Sequence, residues 1–206
     1  MKKSINVGAC GWRHKHWFST FYPDDIPLGE PDEDWLLTYY SNEFDTVLVP
    51  AAYWCTEEKV DCKNWLEDVH EDFQFYVECH ASIFEYISVS DWVENIIQLK
   101  PQLGGVVVVD GDAELDTGLL CRLLETSNVA ILGKGPNNIW RQNDRKLSNF
   151  AVIEDELSNF RQARVIVEDF VGSSGDAPQA TIIVDHAALQ AGDLAKFRSM
   201  LEIMGH

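Results

Sequence analysis

Short apolar runs alternate along the chain with longer stretches in which apolar residues recur at helical spacing. The apolar runs have the length of β-strands, and the intervening stretches have the length of helices. The run at residues 105–109 is unbroken, as in parallel strands that are covered on both faces. The predicted strands lie at residues 5–9, 46–49, 73–79, 105–109, 129–132, 150–153, 164–167 and 181–184.

Helices are predicted between most of these strands. The first begins at Asp32 or Asp34, either of which can cap it, and ends near residue 43. Pro50 and Pro101 stop the element before them, because proline cannot continue a ladder or a helix. The further predicted helices lie at about residues 56–69, 91–99, 116–125, 157–162 and 189–204.

The order of these elements predicts the fold class. Strand and helix alternate about eight times without a break in composition, which favours an α/β protein with a parallel sheet. We expect residues 1–206 to form one domain, a compact TIM-like (β/α) barrel with about eight mainly parallel strands and one or two irregular units. A doubly wound open sheet is the competing fold.

Charge narrows the range of partners. The 206 residues include 34 acids against 16 lysines and arginines, a formal net charge of −18. Nucleic-acid binding is therefore not expected, since such proteins carry a basic surface that displaces counterions from phosphates. The acidic runs near residues 23–34, 67–72 and 154–156 are interpreted as solvated surface, with a basic protein partner as the alternative.

Compartment is indicated by the termini and the cysteines. No apolar run approaches the roughly 18 residues of a membrane helix, and residues 1–8 lack the apolar core of a signal peptide. We therefore expect a cytoplasmic protein without membrane attachment. An odd number of cysteines without a CxxC pair predicts free thiols. They are Cys10, Cys55, Cys62, Cys79 and Cys121.

Several motifs together resemble a known family. VGACGW at residues 7–12, Trp17 and FYP at residues 21–23 look like the glycine turn and the W…FYP element of the YecE-like family, catalogued as domain of unknown function 72. The similarity continues through residues 35–47, 53–54, 65 and 72–75, and residues 181–204 resemble the family's closing strand and helix. The chain is identified as a divergent and shortened member. The resemblance implies an irregular TIM-like barrel and no assigned activity.

The chain departs from the family pattern at polar positions. Leu48 and Pro50 stand where the family carries Glu and Asn, and Glu78 stands where it carries Lys. The family's Thr-His pair is replaced by residues 82–84 (SIF), and its Glu-Phe-Arg-His run by residues 132–135 (LGKG). Either the function has changed or only the scaffold has been kept.

Candidate site residues follow the carboxyl ends of the predicted strands, where barrels of this kind build their sites. A pocket walled by aromatic rings could bind a flat or sugar-like ligand, with Glu78 and His80 as acid and base. The alternative is that the tryptophans fill the barrel mouth as core. The predicted ligand-binding residues are Trp12, His14, Trp17, Tyr53, Trp54, Asp110, Lys134 and Asp185.

The sequence gives less support to a metal site or to a nucleophilic cysteine. A metal site could use residues at the strand ends, but no spacing fixes a ligand pair, and His14 and His16 lie in a predicted loop; no metal ligand is therefore assigned. Cys10 or Cys79 beside His80 could be a nucleophile. The metal candidates considered are His80, Asp110, Asp169, Asp185 and His186.

The functional expectation is therefore binding of a small-molecule ligand at the carboxyl ends of the strands, with catalysis left open and no cofactor identified. The alternative is a non-catalytic acidic scaffold that binds a protein partner and has lost the family's polar site residues.

Overall fold

The structure of the protein is a computed structural model. It describes residues 4–23, 33–56, 60–108, 117–126, 131–135, 139–142, 149–154, 156–157, 160–173 and 178–206. The strands are β1 Ser4–Cys10, β2 Thr46–Val49, β3 Gln74–Cys79, β4 Leu103–Val108, β5 Ile131–Gly135, β6 Ile139–Gln142, β7 Phe150–Ile153 and β8 Gln179–Val184. The helices are α1 Glu33–Ser41, α2 Cys62–Glu67, α3 Val89–Ile97, α4 Thr117–Thr126, α5 Phe160–Ser173 and α6 Ala191–Met204.

The strands form a mainly parallel sheet in which neighbours follow chain order, except that β1 pairs with β8. Six parallel strands are joined continuously in the order β7-β8-β1-β2-β3-β4. Beyond β4 the sheet continues with β5, which is parallel to β4, and β6, which is antiparallel to β5. The α/β class and the mainly parallel pairing are thus confirmed, and the doubly wound order is not observed.

The sheet is strongly curled. β3 and β8 are separated by two strands, so they would lie about 14 Å apart in a flat sheet with a spacing of roughly 4.8 Å. Yet the hydroxyls of Tyr76 in β3 and Thr181 in β8 are 3.1 Å apart, and the rings of Tyr76 and Phe150 have centroids 4.3 Å apart. The concave face is therefore closed over a small apolar core.

Two apolar layers follow from the alternation of side chains along each strand. On β1, Ile5, Val7 and Ala9 face the main core between the sheet and its helices. The residues of the opposite strand faces form the inner core on the concave side, which consists of Leu48, Tyr76, Val107, Phe150, Val152 and Ile183, with Cys10 packed against it.

Specific polar contacts place the helices. The Tyr40 hydroxyl in α1 accepts from the Ala9 amide at 2.8 Å and donates to the Thr46 carbonyl at 2.9 Å, which ties α1 to β1 and β2. Ser88 caps α3 by accepting from the Asp91 amide. Gly205 ends α6 with φ +92°, a conformation that favours glycine.

The seventh predicted strand is wrong. Residues 164–167 lie inside α5, which also replaces the short helix predicted at 157–162. The apolar run Val165-Ile166-Val167 has strand composition, but Ala163, Val167 and Phe170 are buried at helical spacing while Val165 is 64% exposed. β6 was not predicted from the sequence. Part of the predicted fifth strand, at 129–130, lies outside the described residues.

No helix in the part of the chain that the structure describes is both long enough and apolar enough to cross a bilayer.

The two valines of α5 test this correction. In a strand, positions 165 and 167 would share one face; in α5 only Val167 is buried. We expect Val167→Ala to lower the free energy of unfolding by roughly 2 kcal/mol through lost burial and a residual cavity. Val165→Ala should change it by less than about 0.5 kcal/mol. Urea unfolding monitored by circular dichroism measures both, and equal losses would contradict the helix.

Candidate active site

Three polar side chains from separate strands converge at the carboxyl end of the sheet. Cys10 ends β1 on the concave side, Glu78 follows Tyr76 by two residues in β3, and Asp185 follows Ile183 by two residues after β8. The Cys10 thiol donates a hydrogen bond to the Asp185 carboxylate, and the negative charge of Glu78 also acts on the thiol. This arrangement brings one predicted acid, Glu78, together with one predicted ligand-binding residue, Asp185, around a thiol.

The electrostatics of this group keep Cys10 protonated. Burial of the thiol raises the pKa of Cys10 well above its usual value, and the negative charges of Asp185 and then Glu78 raise it further. A thiol with a raised pKa is a poor nucleophile at neutral pH. The structure therefore gives no support to Cys10 as a nucleophile. Cys79 is buried in the core on the helix side of the sheet.

Glu78 is oriented by the backbone. Its Oε2 accepts from the Ala51 amide at 2.9 Å, at the start of the short 3₁₀ helix Ala51–Tyr53 that follows β2. Pro50 precedes this helix in extended conformation, so β2 ends where the sequence predicted. A carboxylate held by a backbone N–H has a defined position against its neighbours.

The loop after β1 brings a cation to the same end of the sheet. Gly11 has φ +78°, and a β-carbon there would lie 2.9 Å from the Tyr53 hydroxyl. That hydroxyl accepts from the amides of Trp12 and Arg13 at 3.2 and 3.1 Å. The Arg13 guanidinium lies 4.2 Å from the centroid of the Tyr53 ring. Tyr53 is thus a support for this loop.

Sequence reasoning missed Arg13. The signal was present in the sequence, since Arg13 directly follows the glycine turn of β1. The pKa of Tyr53 is raised to about 12 by burial, against the opposing effect of Arg13. Tyr53 therefore stays a neutral phenol, able to accept and donate hydrogen bonds.

The tryptophans predicted to bind a ligand are packed in the hydrophobic core. Trp12 and Trp17 are fully buried, and Trp54 is nearly so. Trp12 packs edge-on against Tyr53 and Trp65, with centroids 4.9 and 5.3 Å away. This packing is the alternative that the sequence left open, in which the rings fill the structure. Their predicted role in ligand binding stays a prediction.

The predicted histidines lie at different places. His14 is half-buried against Trp17, at a centroid distance of 4.3 Å, and its pKa is lowered by burial and then by His16. His80 is exposed just beyond β3, where its Nδ1 accepts from the Ser82 amide at 3.2 Å and caps the 3₁₀ helix Ala81–Glu85. The pairing of Glu78 and His80 as acid and base stays a prediction.

The remaining candidates are less defined. Asp110 lies outside the described residues, as does the Lys134 side chain, although the Lys134 backbone pairs with Trp140 in the β5–β6 hairpin. Asp169, considered as a metal ligand at a strand end, lies instead on the exposed side of α5. Within the described ranges, no three histidine, cysteine or acidic side chains are placed to share a metal ion.

Fold and site together define an α/β protein with a curled parallel sheet and polar groups at its carboxyl end. The chain belongs to the family described as protein of unknown function DUF72, whose model matches residues 6–108. This confirms the resemblance seen in the opening motifs.

A solved structure supports the same fold, and a second, less similar one is compared beside it. A DUF72 family protein from Thermotoga maritima superimposes with a TM-score of 0.57 at 15% identity, covering 97% of this chain and 99% of that one. A DUF72 family protein from Enterococcus faecalis has a TM-score of 0.46 at 11% identity, covering 99% and 98%. At 15% identity the likeness to the first shows the fold alone. No curated protein matches the chain.

The protonation state of Cys10 can be tested by alkylation. In the native protein we expect iodoacetamide to modify Cys10 more slowly than Cys55 at pH 8, because its raised pKa leaves little thiolate. Asp185→Asn should accelerate modification of Cys10 by about threefold or more, since removing the carboxylate lowers the thiol pKa. Peptide mass spectrometry reads each cysteine separately. Equal native rates at Cys10 and Cys55 would refute this account.

The packing of Trp54 makes a second prediction. Replacing it with alanine should cost about 3–5 kcal/mol of unfolding free energy, because a nearly buried indole leaves a large cavity. Trp35→Ala in α1, where the ring is 39% exposed, is the matched control and should cost clearly less. Thermal and urea unfolding compare the two. A stable Trp54→Ala protein would argue for a ligand-contacting ring instead of a core ring.

Proposed function

We propose that the carboxyl end of the strands is the functional site and that it binds a small polar molecule carrying amine or hydroxyl groups. The observation that carries this proposal is that the Glu78 and Asp185 carboxylates both lie near the Cys10 thiol at the carboxyl end of the sheet. Two carboxylates from strands that are not neighbours in the sheet form a group of hydrogen-bond acceptors that a single ligand can bridge.

The chemistry of the group sets the ligand class. Carboxylate oxygens accept several hydrogen bonds each, and Glu78 accepts one of them from the Ala51 amide. Ammonium and hydroxyl groups are the complementary donors. Arg13 lies in the loop after β1, at the same end of the sheet, and its guanidinium would pair with an anionic group of such a ligand. Glu78 and His80 stay the predicted acid and base if a reaction follows binding.

Closure of the sheet into a barrel belongs to this proposal. β6 and β7, the two outer strands, approach each other, which supports a sheet that closes or nearly closes with eight strands. In a closed barrel the loops after β4 and β5 reach the same rim as Cys10 and Asp185. Asp110 and Lys134 would then join the proposed site. Free Cys10, Cys55, Cys62 and Cys79 support a reducing compartment such as the cytoplasm.

A thermal-shift screen of amino sugars, monosaccharides and small amines tests the site. A ligand at one hundred times its Kd should stabilise the protein by about 2.7 kcal/mol. Glu78→Gln and Asp185→Asn should each abolish most of this stabilisation while the protein stays folded. Glu85→Gln, an exposed acid in the 3₁₀ helix after β3, is the matched control and should keep it.

One outcome of this screen would contradict the proposed site. A hit that stabilises the Glu78→Gln and Asp185→Asn variants as much as the control would place binding elsewhere.

An acidic scaffold for a protein partner is the second candidate. It is favoured by the inner core, in which Leu48 fills the position where the family pattern carries an acid. It would be preferred if no ligand stabilises the protein and a native pull-down recovers a partner whose binding weakens when exposed acids are neutralised.

A further inference from the structure

The amino end of the curled sheet carries side-chain amides on its concave side. Gln74 precedes Tyr76 by two residues in β3, and Gln179 precedes Thr181 by two in β8, so both share the face of the inner core. Asn6 in β1 alternates with Ile5 and Val7, which face the helices, and therefore lies on the same concave side. Bulky apolar residues usually fill such layers in parallel barrels. Three amides there are an exception to that pattern.

These amides line a cavity of about 360 Å³ at the amino ends of the strands. This volume is within the range of about 300–1,000 Å³ typical of small-molecule sites. The Tyr76 side chain separates the cavity from the carboxyl end, since its hydroxyl reaches Thr181 and its ring packs on Phe150. The cavity is therefore distinct from the site of Cys10, Glu78 and Asp185.

The charge of the lining selects the ligand. Asp45, Glu71 and Asp72 contribute three carboxylates, and the described residues that line the cavity include neither lysine nor arginine. The amide oxygens of the lining accept hydrogen bonds, and its exposed carboxylates attract positive charge. We propose that this cavity binds a small organic cation whose ammonium or guanidinium group reaches the amides of Asn6, Gln74 and Gln179.

Agmatine, which has one guanidinium and one ammonium group, is the probe. Isothermal titration calorimetry at low ionic strength should show saturable binding with one site per chain. The double variant Glu71→Gln/Asp72→Asn should weaken binding by about tenfold or more, since it removes two carboxylates from the lining. Gln74→Leu should weaken it to a similar extent at nearly constant volume, because a hydrogen-bond acceptor of the lining is lost.

The chain offers a matched charge control. Glu168 and Asp169 are also adjacent, and both are exposed on α5. Glu168→Gln/Asp169→Asn makes the same change in net charge and should alter the affinity by less than about twofold.

Four results would overturn the assignment. The first is the absence of saturable agmatine binding by the wild-type protein. The second is an equal loss of affinity in the two double variants, which would indicate general attraction to an acidic protein. The third is displacement of agmatine by an equimolar amount of magnesium chloride. The last is full affinity in a folded Gln74→Leu variant.

Discussion

The contact of Tyr76 across the inside of the sheet organises the rest of the molecule. Its phenol reaches from β3 to Thr181 in β8, and its ring packs on Phe150 in β7. These contacts require the sheet to curl, and the curl is what brings the ends of β1, β3 and β8 together. Gly104 in β4 makes room for this ring, because a β-carbon there would lie 2.5 Å from it. The geometry at both ends of the sheet therefore depends on one buried aromatic side chain.

The carboxyl end of the sheet combines negatively charged carboxylates, a neutral thiol and a positively charged guanidinium. Two carboxylates act on a protonated thiol, and the Arg13 guanidinium stacks on the tyrosine that holds the neighbouring loop. Partly burying a carboxylate is unfavourable unless hydrogen bonds compensate; the Ala51 amide supplies one to Glu78 and the Cys10 thiol one to Asp185. Such groups are retained at functional sites more readily than in ordinary cores.

The sequence predicted the sheet well where strand composition and burial agree. The bounds of β2 and β7 match the prediction, since each is a short apolar run with polar or turn-forming neighbours. It failed at α5, because Val165, Ile166 and Val167 have the composition of a strand while their burial follows the period of a helix. Periodicity over four residues is too short to separate the two cases.

The site was predicted only in part for a related reason. Strand ends identify which residues reach the carboxyl end of the sheet, where the structure places Cys10, Glu78 and Asp185. The roles of Glu78 and Asp185 in a site stay predictions. The degree of burial of an aromatic ring depends on contacts distant in sequence, so the enclosure of Trp12 and Trp17 could not be derived from the motifs around them. The cavity at the amino end arises from Asn6, Gln74 and Gln179, which are far apart in the chain and carry no local pattern.

The packed indoles have a spectroscopic consequence. The ring centroids of Trp12 and Trp54 each lie within 6 Å of the centroid of Trp65. The three rings come from different segments: Trp12 from the loop after β1, Trp54 from the segment after β2, and Trp65 from helix α2. Rings this close exchange excitation energy, so their emission reports the group and not any single ring. A shift of any one of these segments would change the fluorescence of all three rings. The intrinsic tryptophan fluorescence of the native protein therefore reports the packing of these segments against one another.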